Sequence, residues 1–260
     1  MLHSPLSVIH PNAKIGDNVT ISPFVSIDDD VEIGEGTWIA PNVTIFAGAR
    51  IGKHCRIYPG AVLSAVPQDL KFSGEATTLE IGDYTQVREC ATLNRGTSVT
   101  GTTRIGGHCL IMAYAHVAHD CTIGDGCILA NNATLAGHVD LEENVILGGF
   151  VAIQQFTRVG AYSMLGGGTL HNKDVPPFIR VARQPASYIG VNSIGLRRRG
   201  FSEEEIRQIQ DIYHLLFVAK ITRNEAMERI ESELGTSKYG ARILDFVRNS
   251  KQGILKGLQP

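Results

Sequence analysis

An aliphatic side chain recurs at every sixth residue through the first two thirds of this chain, and few folds accommodate that period. Counting from Ile9 in steps of six meets Ile or Leu at every position through Leu63. The count then meets Asp69 and Glu75, and resumes in the same phase with Ile, Leu or Val from Ile81 through Val99 to Leu165. The residue four places after each of these is small or β-branched, as at Val19, Thr37, Cys55, Ala115, Cys121 and Ala133. A period of six fits neither the 3.6-residue turn of a helix nor the two-residue alternation of a strand. It does fit a short strand, a corner and another short strand, three six-residue sides closing one coil of a parallel β-helix. Gly, Asn and Asp follow the aliphatic positions, as in Ile15-Gly16-Asp17-Asn18 and Ile123-Gly124-Asp125-Gly126, where corners need a permissive backbone. With about 4.8 Å between stacked strands, eight or nine coils make a prism roughly 40 Å long.

Composition narrows the class. With 43% hydrophobic and 19% charged residues over 260 positions, the chain can bury a core and is not disordered. No apolar run reaches the roughly 18 residues of a membrane span, and Met1-Leu2-His3-Ser4-Pro5 lacks the basic and apolar regions of an export signal. An unexported, cytoplasmic protein is expected. Five cysteines, an odd number, are read as reduced thiols. Cys55, Cys109, Cys121 and Cys127 take the small inward phase, so they are expected to be buried small hydrophobes rather than zinc ligands. Charge is uneven: residues 1–175 carry a balance of −7 and residues 176–260 one of +5, so an anionic partner is expected at the C-terminal end.

The departures from the repeat are where function is expected. Residues 64–80 read as an excursion from the coil, with Leu70 and Phe72 expected to fold back on a neighbouring surface. A second irregularity runs from Asn94 to Thr103. The segment Ala113 to Cys121 places His116, His119 and Asp120 within five residues, and His119 falls at a corner where it can reach solvent or an adjacent subunit. His138 comes about one coil later and is expected to stack on nearly the same edge. An imidazole is the side chain best suited to exchange a proton near neutral pH. Periodicity leaves three readings open: a general base with substrate-positioning partners, a histidine metal site between subunits of the kind found in hexapeptide-repeat carbonic anhydrases, or a solenoid scaffold without catalysis.

The segments PQDLKFSGE, VREC, NRGT, AHVAHDC, ILANNATLAGHV, GGFVAIQQF, DVPPF and GVNSIGLRRRGFS, in this order along nearly the whole chain, resemble the UDP-N-acetylglucosamine O-acyltransferases of lipid A biosynthesis. The resemblance implies a mainly β fold, a left-handed parallel β-helix over 1–175 with an inserted loop at about 64–80, then a linker and helical domain over 176–260. It implies a homotrimer with sites between subunits, and transfer of a 3-hydroxyacyl chain from the phosphopantetheine of acyl carrier protein to the glucosamine 3-hydroxyl of UDP-N-acetylglucosamine. Carried over by motif, His119 is the general base, Asp120 its orienting partner, and the Gly137 N–H the oxyanion donor. Gln68, Asp69 and Lys71 would contact the sugar or pyrophosphate across the subunit boundary. His116, His138 and Gln155 would line the sugar and acyl groove, Asn192, Arg198 and Arg199 would hold the nucleotide, and Gly167 would leave room for the acyl chain. No metal or bound cofactor is implied. Asn94 stands where many members carry histidine, Ile194 stands where some carry an acidic residue, and the segment Arg183-Gln184-Pro185-Ala186 lacks the family's common histidine near the far end of the acyl groove.

After Pro176-Pro177 the hexads stop. Ser202 to Glu205 reads as a capping box opening an amphipathic helix, Thr222 to Glu225 repeats it, and a third run carries Tyr239, Ile243, Phe246 and Val247. These helices are expected to cover one end of the prism and to suit an acidic acyl carrier protein. Arg197-Arg198-Arg199 lacks the aromatic interleaving of a nucleic-acid surface, so no nucleic acid is expected.

Overall fold

The computed structural model describes residues 2–235 and 237–257. Short parallel strands, most of two residues, stack into three sheets that form the sides of a triangular prism. Partners lie one coil apart: Ile111, Leu129, Leu147 and Leu165 are in register on the first face, Val117, Leu135, Ile153 and His171 on the second, and Ile105, Ile123, Leu141 and Val159 on the third. These side chains point inward, and nearly all are under 4% exposed. Each fully buried aliphatic side chain contributes roughly 1.5–3 kcal/mol relative to exposure. His171 holds the next hexad position after Leu165 and ends the second-face column as a buried imidazole.

Register explains why the hexad phase survives its interruptions. Ile57 pairs with Val87 and Val87 with Ile111, so these two coils are longer than the eighteen-residue norm by twelve and by six residues. Insertions of whole hexads leave every later aliphatic residue pointing inward. The first insert is shorter than the sequence implies, because strands Val62–Ala65 and Thr78–Ile81 claim its ends and leave 66–77. The second occupies 95–101 between strands Thr92–Asn94 and Thr102–Ile105, so Val99, in phase by count, is 73% exposed on that loop. Leu70 is fully exposed within the single chain, whereas Phe72 lies under the Arg95 guanidinium, 5.6 Å away.

Corners are built from one left-handed residue per hexad, with φ near +60°, and not only from Gly, Asn and Asp: Phe24, Tyr114, Asp120, His138, Phe150 and Phe156 adopt it too. Such a residue costs about 1–2 kcal/mol, and stacking along the corner offsets it. His138 stacks on Phe156 at 4.7 Å, and His54, Tyr84 and His108 stack in a column at 5.0 Å intervals. The third face is solvated by a ladder of alternating charge, with Lys14–Glu32 at 2.8 Å and Arg104–Glu80 at 3.0 Å. The outward positions of the first face form instead an apolar strip, Leu110, Ile128, Ile146 and Met164.

An antiparallel pair, Ile179–Ala182 with Ser187–Val191, continues the first face beyond the prism. Four helices follow: α1 (Ser193–Arg198), α2 (Glu203–Phe217), α3 (Arg223–Leu234) and α4 (Lys238–Arg248). The Ser202–Glu205 capping box is formed in both directions, whereas at Thr222 only the hydroxyl cap is made. Arg242 of α4 binds Glu142 and Glu143 at 2.9 Å, and the Tyr213 hydroxyl of α2 donates to the Pro177 carbonyl, which docks the helices on the prism.

Candidate active site

Both inserts and the strongest candidates share one edge, the corner between the second and third faces. One coil separates residues 119, 137 and 155, and likewise 120, 138 and 156. Gly137, rather than His138, therefore lies directly over His119, and a Cβ on Gly137 would stand 2.6 Å from His119 Cε1. His138 lies instead over Asp120, with its Nε2 3.6 Å from Asp120 Oδ2, and meets the His119 ring edge-on at 5.2 Å. The His119 side chain is more enclosed than its corner position implies, only 7% exposed.

His119 Nδ1 lies 2.8 Å from Asp120 Oδ2. An ionised carboxylate only accepts, so Nδ1 carries the proton and Nε2 of the neutral ring bears the lone pair. Nε2 makes no hydrogen bond among the described residues and is not a sealed, unpaired atom, so it keeps an opening outward. Burial would raise the Asp120 carboxyl, but hydrogen bonds from Thr100, His119 and Thr97 outweigh it and hold the group down at about 2. Burial lowers His138, while the charges of Asp120 and Asp69 oppose that effect. His116, on the outward side of the second face, is lowered by burial and shares a 2.7 Å hydrogen bond with the Thr92 hydroxyl. The Gly137 N–H is engaged by no hydrogen bond among the described residues.

The 66–77 insert emerges at the same edge and brings the Asp69 charge within reach of His138. Gln68 and Lys71 are exposed on it, and Gln155 is exposed one coil above Gly137. Asn94 is buried and donates to the Val66 and Ala65 carbonyls at 3.0 and 3.4 Å, anchoring the start of the insert. Asn192, Arg198 and Arg199 are not brought to this edge. The Asn192 amide donates to the Tyr162 carbonyl, and Arg199 reaches the corner at Gly126, between the third and first faces. Gly167 stands at the remaining corner, against the Gly149 carbonyl.

A groove of about 1080 Å³ runs over the second face from Thr134, one coil above His116, and Ala136, beside Gly137, to Leu170, Pro185 and Leu255 under the C-terminal segment. Its floor is mostly apolar. Sequence reasoning did not single out Thr97, Thr100, Thr103 or Phe156. The threonine-rich run 97–103 was a signal for the first three, but nothing local says that their hydroxyls turn toward Asp120.

His119, Asp120 and His138 offer three donor atoms within 4.8 Å of one another, but the set does not fit a metal ion. The Thr97 N–H, the Thr97 and Thr100 hydroxyls and His119 Nδ1 already occupy the two Asp120 oxygens, which fills about four lone-pair sites.

Residues 30–65 and 102–137 match the bacterial transferase hexapeptide model of six repeats, which places the prism among hexapeptide-repeat transferases. Residues 174–255 match domain 2 of UDP-N-acetylglucosamine O-acyltransferase. An acyl-[acyl-carrier-protein]--UDP-N-acetylglucosamine O-acyltransferase of Thiobacillus denitrificans is 44% identical over 97% of this chain and 98% of its own length. The crystal structure of a UDP-N-acetylglucosamine acyltransferase from Bacteroides fragilis superposes with a TM-score of 0.96 at 47% identity, covering 98% of this chain and all of that one. The Arabidopsis UDP-N-acetylglucosamine acyltransferase gives 0.86 at 31% identity, over 98% of this chain and all of that one. The chain belongs to the acyl-[acyl-carrier-protein]--UDP-N-acetylglucosamine O-acyltransferase family, and its prism is the left-handed parallel β-helix of that family.

Proposed function

We propose that this acyltransferase moves a 3-hydroxyacyl chain from the phosphopantetheine thioester of acyl carrier protein to the glucosamine 3-hydroxyl of UDP-N-acetylglucosamine, the first step of lipid A biosynthesis. The observation that carries the reading is the free Nε2 of His119, with Nδ1 locked to an ionised Asp120. Nε2 takes the hydroxyl proton as the sugar oxygen bonds to the thioester carbon. The carbonyl oxygen takes up the negative charge and is met by the unengaged Gly137 N–H. On collapse the C–S bond breaks and the proton on Nε2 passes to the leaving thiolate. A placed general base contributes typically 10²–10⁴-fold, and an oxyanion donor about 10²–10³-fold. No metal or bound cofactor enters this scheme.

The groove beginning at Ala136 accepts the acyl chain, with Pro185 near its far end. Asp69, with Gln68 and Lys71, faces the sugar beside His138 and His116. Arg198 and Arg199 supply guanidinium forks for the pyrophosphate. Because these arginines lie on a different edge from His119, one chain supplies the base and its neighbour the nucleotide contacts. A cytoplasmic homotrimer packed over the apolar strip of the first face satisfies that division. Among the described residues no helix is long and apolar enough to cross a membrane.

The test is transfer from a mixture of 3-hydroxyacyl carrier protein thioesters to UDP-N-acetylglucosamine and to its 3-amino analogue, with products resolved by mass spectrometry. An ester product lost by 10²-fold or more in His119→Ala supports the reading. Preference for the amine, or activity within a few-fold of wild type in that variant, overturns it.

A further inference from the structure

The insert at 95–101 does more than fill space at the corner. Its Thr97 N–H and hydroxyl reach Asp120 Oδ1 and Oδ2 at 3.0 and 2.7 Å, and the Thr100 hydroxyl donates to Oδ1. From the next strand, the Thr103 hydroxyl accepts from the Asp120 N–H at 2.8 Å. Asp120 is thus gripped at its backbone and at both carboxylate oxygens, and its side chain is wholly buried. Without the grip the carboxylate has a second imidazole to turn to, because His138 Nε2 is 3.6 Å from the same Oδ2 that serves His119.

We infer that Thr97 and Thr100 are positioning residues of the dyad, fixing the Asp120 carboxylate on His119 rather than His138 and so holding the imidazole tautomer whose Nε2 is the base. This inference rests on the reading of His119 as base. The insert is also tied to the 66–77 segment, through Ser98 N–H to Glu75 at 3.3 Å and Arg95 over Phe72. The segment that faces the sugar and the grip on the dyad therefore form one connected unit.

The test uses the full-length enzyme with Thr97→Val and Thr100→Val, singly and together, and the matching serine variants, which keep the hydroxyl. The titratable groups facing the dyad are His138 from the coil above and Asp69 from the 66–77 insert, and both stay unchanged. The double valine variant is expected to lose about 10–100-fold in kcat with an acceptor KM within about two-fold. With Asp120 released toward His138, the His119 imidazolium loses its partner, and the acidic limb of the kcat profile moves to lower pH. Serine variants should recover most of the rate and the wild-type limb. In a His119→Asn background the valine pair should cost nothing further, because groups acting through one residue are non-additive.

A kcat within two-fold with an unmoved limb overturns the inference, as does equal damage from serine and valine, which would signal packing alone. If the double variant does not fold, Thr100→Val alone gives the reading, since the Thr97 contacts then remain. Failure of the base assignment is separately visible as an active His119→Asn enzyme.

Discussion

Gly137 lies one coil above His119 with its α-carbon so close to the imidazole that a methyl group there would stand 2.6 Å from Cε1 and 2.7 Å from Nε2. The backbone conformation of Gly137 is one that alanine can adopt, since its φ is not positive, so the missing side chain is a matter of room for the ring. Gly137→Ala is expected to push the ring off Asp120 and lower kcat by 10²-fold or more, while the thermal midpoint falls by only a few degrees. Circular dichroism and steady-state transfer rates check both halves. A rate within three-fold of wild type would show that the ring has space to give.

The separation of His119 from Arg198 and Arg199 on two edges of the prism leads to a mixing experiment. His119→Ala and Arg199→Ala homotrimers are each expected to be impaired. Co-refolded or co-expressed together, they should regain activity, because some subunit boundaries then carry an intact residue from each side. Mixtures that merely average the two parents would place both residues within one chain's own site.

Buried at the end of the second-face column, His171 makes stability depend on pH. Burial depresses its imidazole from 6.5 to about 4, with Thr169 Oγ1 at 2.7 Å as its neutral partner. The unfolded chain takes up this proton at a higher pH than the folded one. The contribution is therefore complete above pH 6.5 and is lost as pH falls toward 4, about 3 kcal/mol in all at roughly 1.4 kcal/mol per unit. Denaturant midpoints measured between pH 7 and 4 should fall on this slope, and His171→Asn should flatten it. An equal slope in the variant would assign the acid sensitivity to other groups.

Asn94 holds the first insert by its amide, donating to the Val66 and Ala65 carbonyls from a buried position. Asn94→Ala removes the donor to the Val66 carbonyl, while the Ala65 carbonyl keeps the Arg95 N–H at 3.1 Å, a loss of about 1 kcal/mol, and loosens the segment bearing Gln68, Asp69 and Lys71. The expected result is a KM for the acceptor raised 5- to 30-fold with kcat little changed. A fall in kcat alone would place Asn94 with the chemistry instead of the binding segment.

How far each residue was legible follows from whether its position is set by the repeat. The hexad count places every inward aliphatic residue and the four buried cysteines, because eighteen residues close one coil whatever the side chains do. The same count puts Gly137 over His119 and His138 on the same edge one residue further on, where its ring meets that of His119 edge-on at 5.2 Å. Val99 shows the limit: a residue can keep the phase on a loop that has left the coil. The Ser202 cap was readable because it is made within four residues, and α1 was not, because it has no side-chain cap and only Leu196 to bury.

The sequence by itself determined the prism, its inward columns and the edge on which His119 projects, since a strict period repeats one local geometry and needs no distant information. Only the tertiary structure decided that Thr97 and Thr100 close on Asp120, that His119 is nearly enclosed, and that the basic residues closing α1 lie on another edge. Those contacts join segments that leave the repeat, and where an inserted loop or a docked helix comes to rest is set by packing against surfaces far away in the chain.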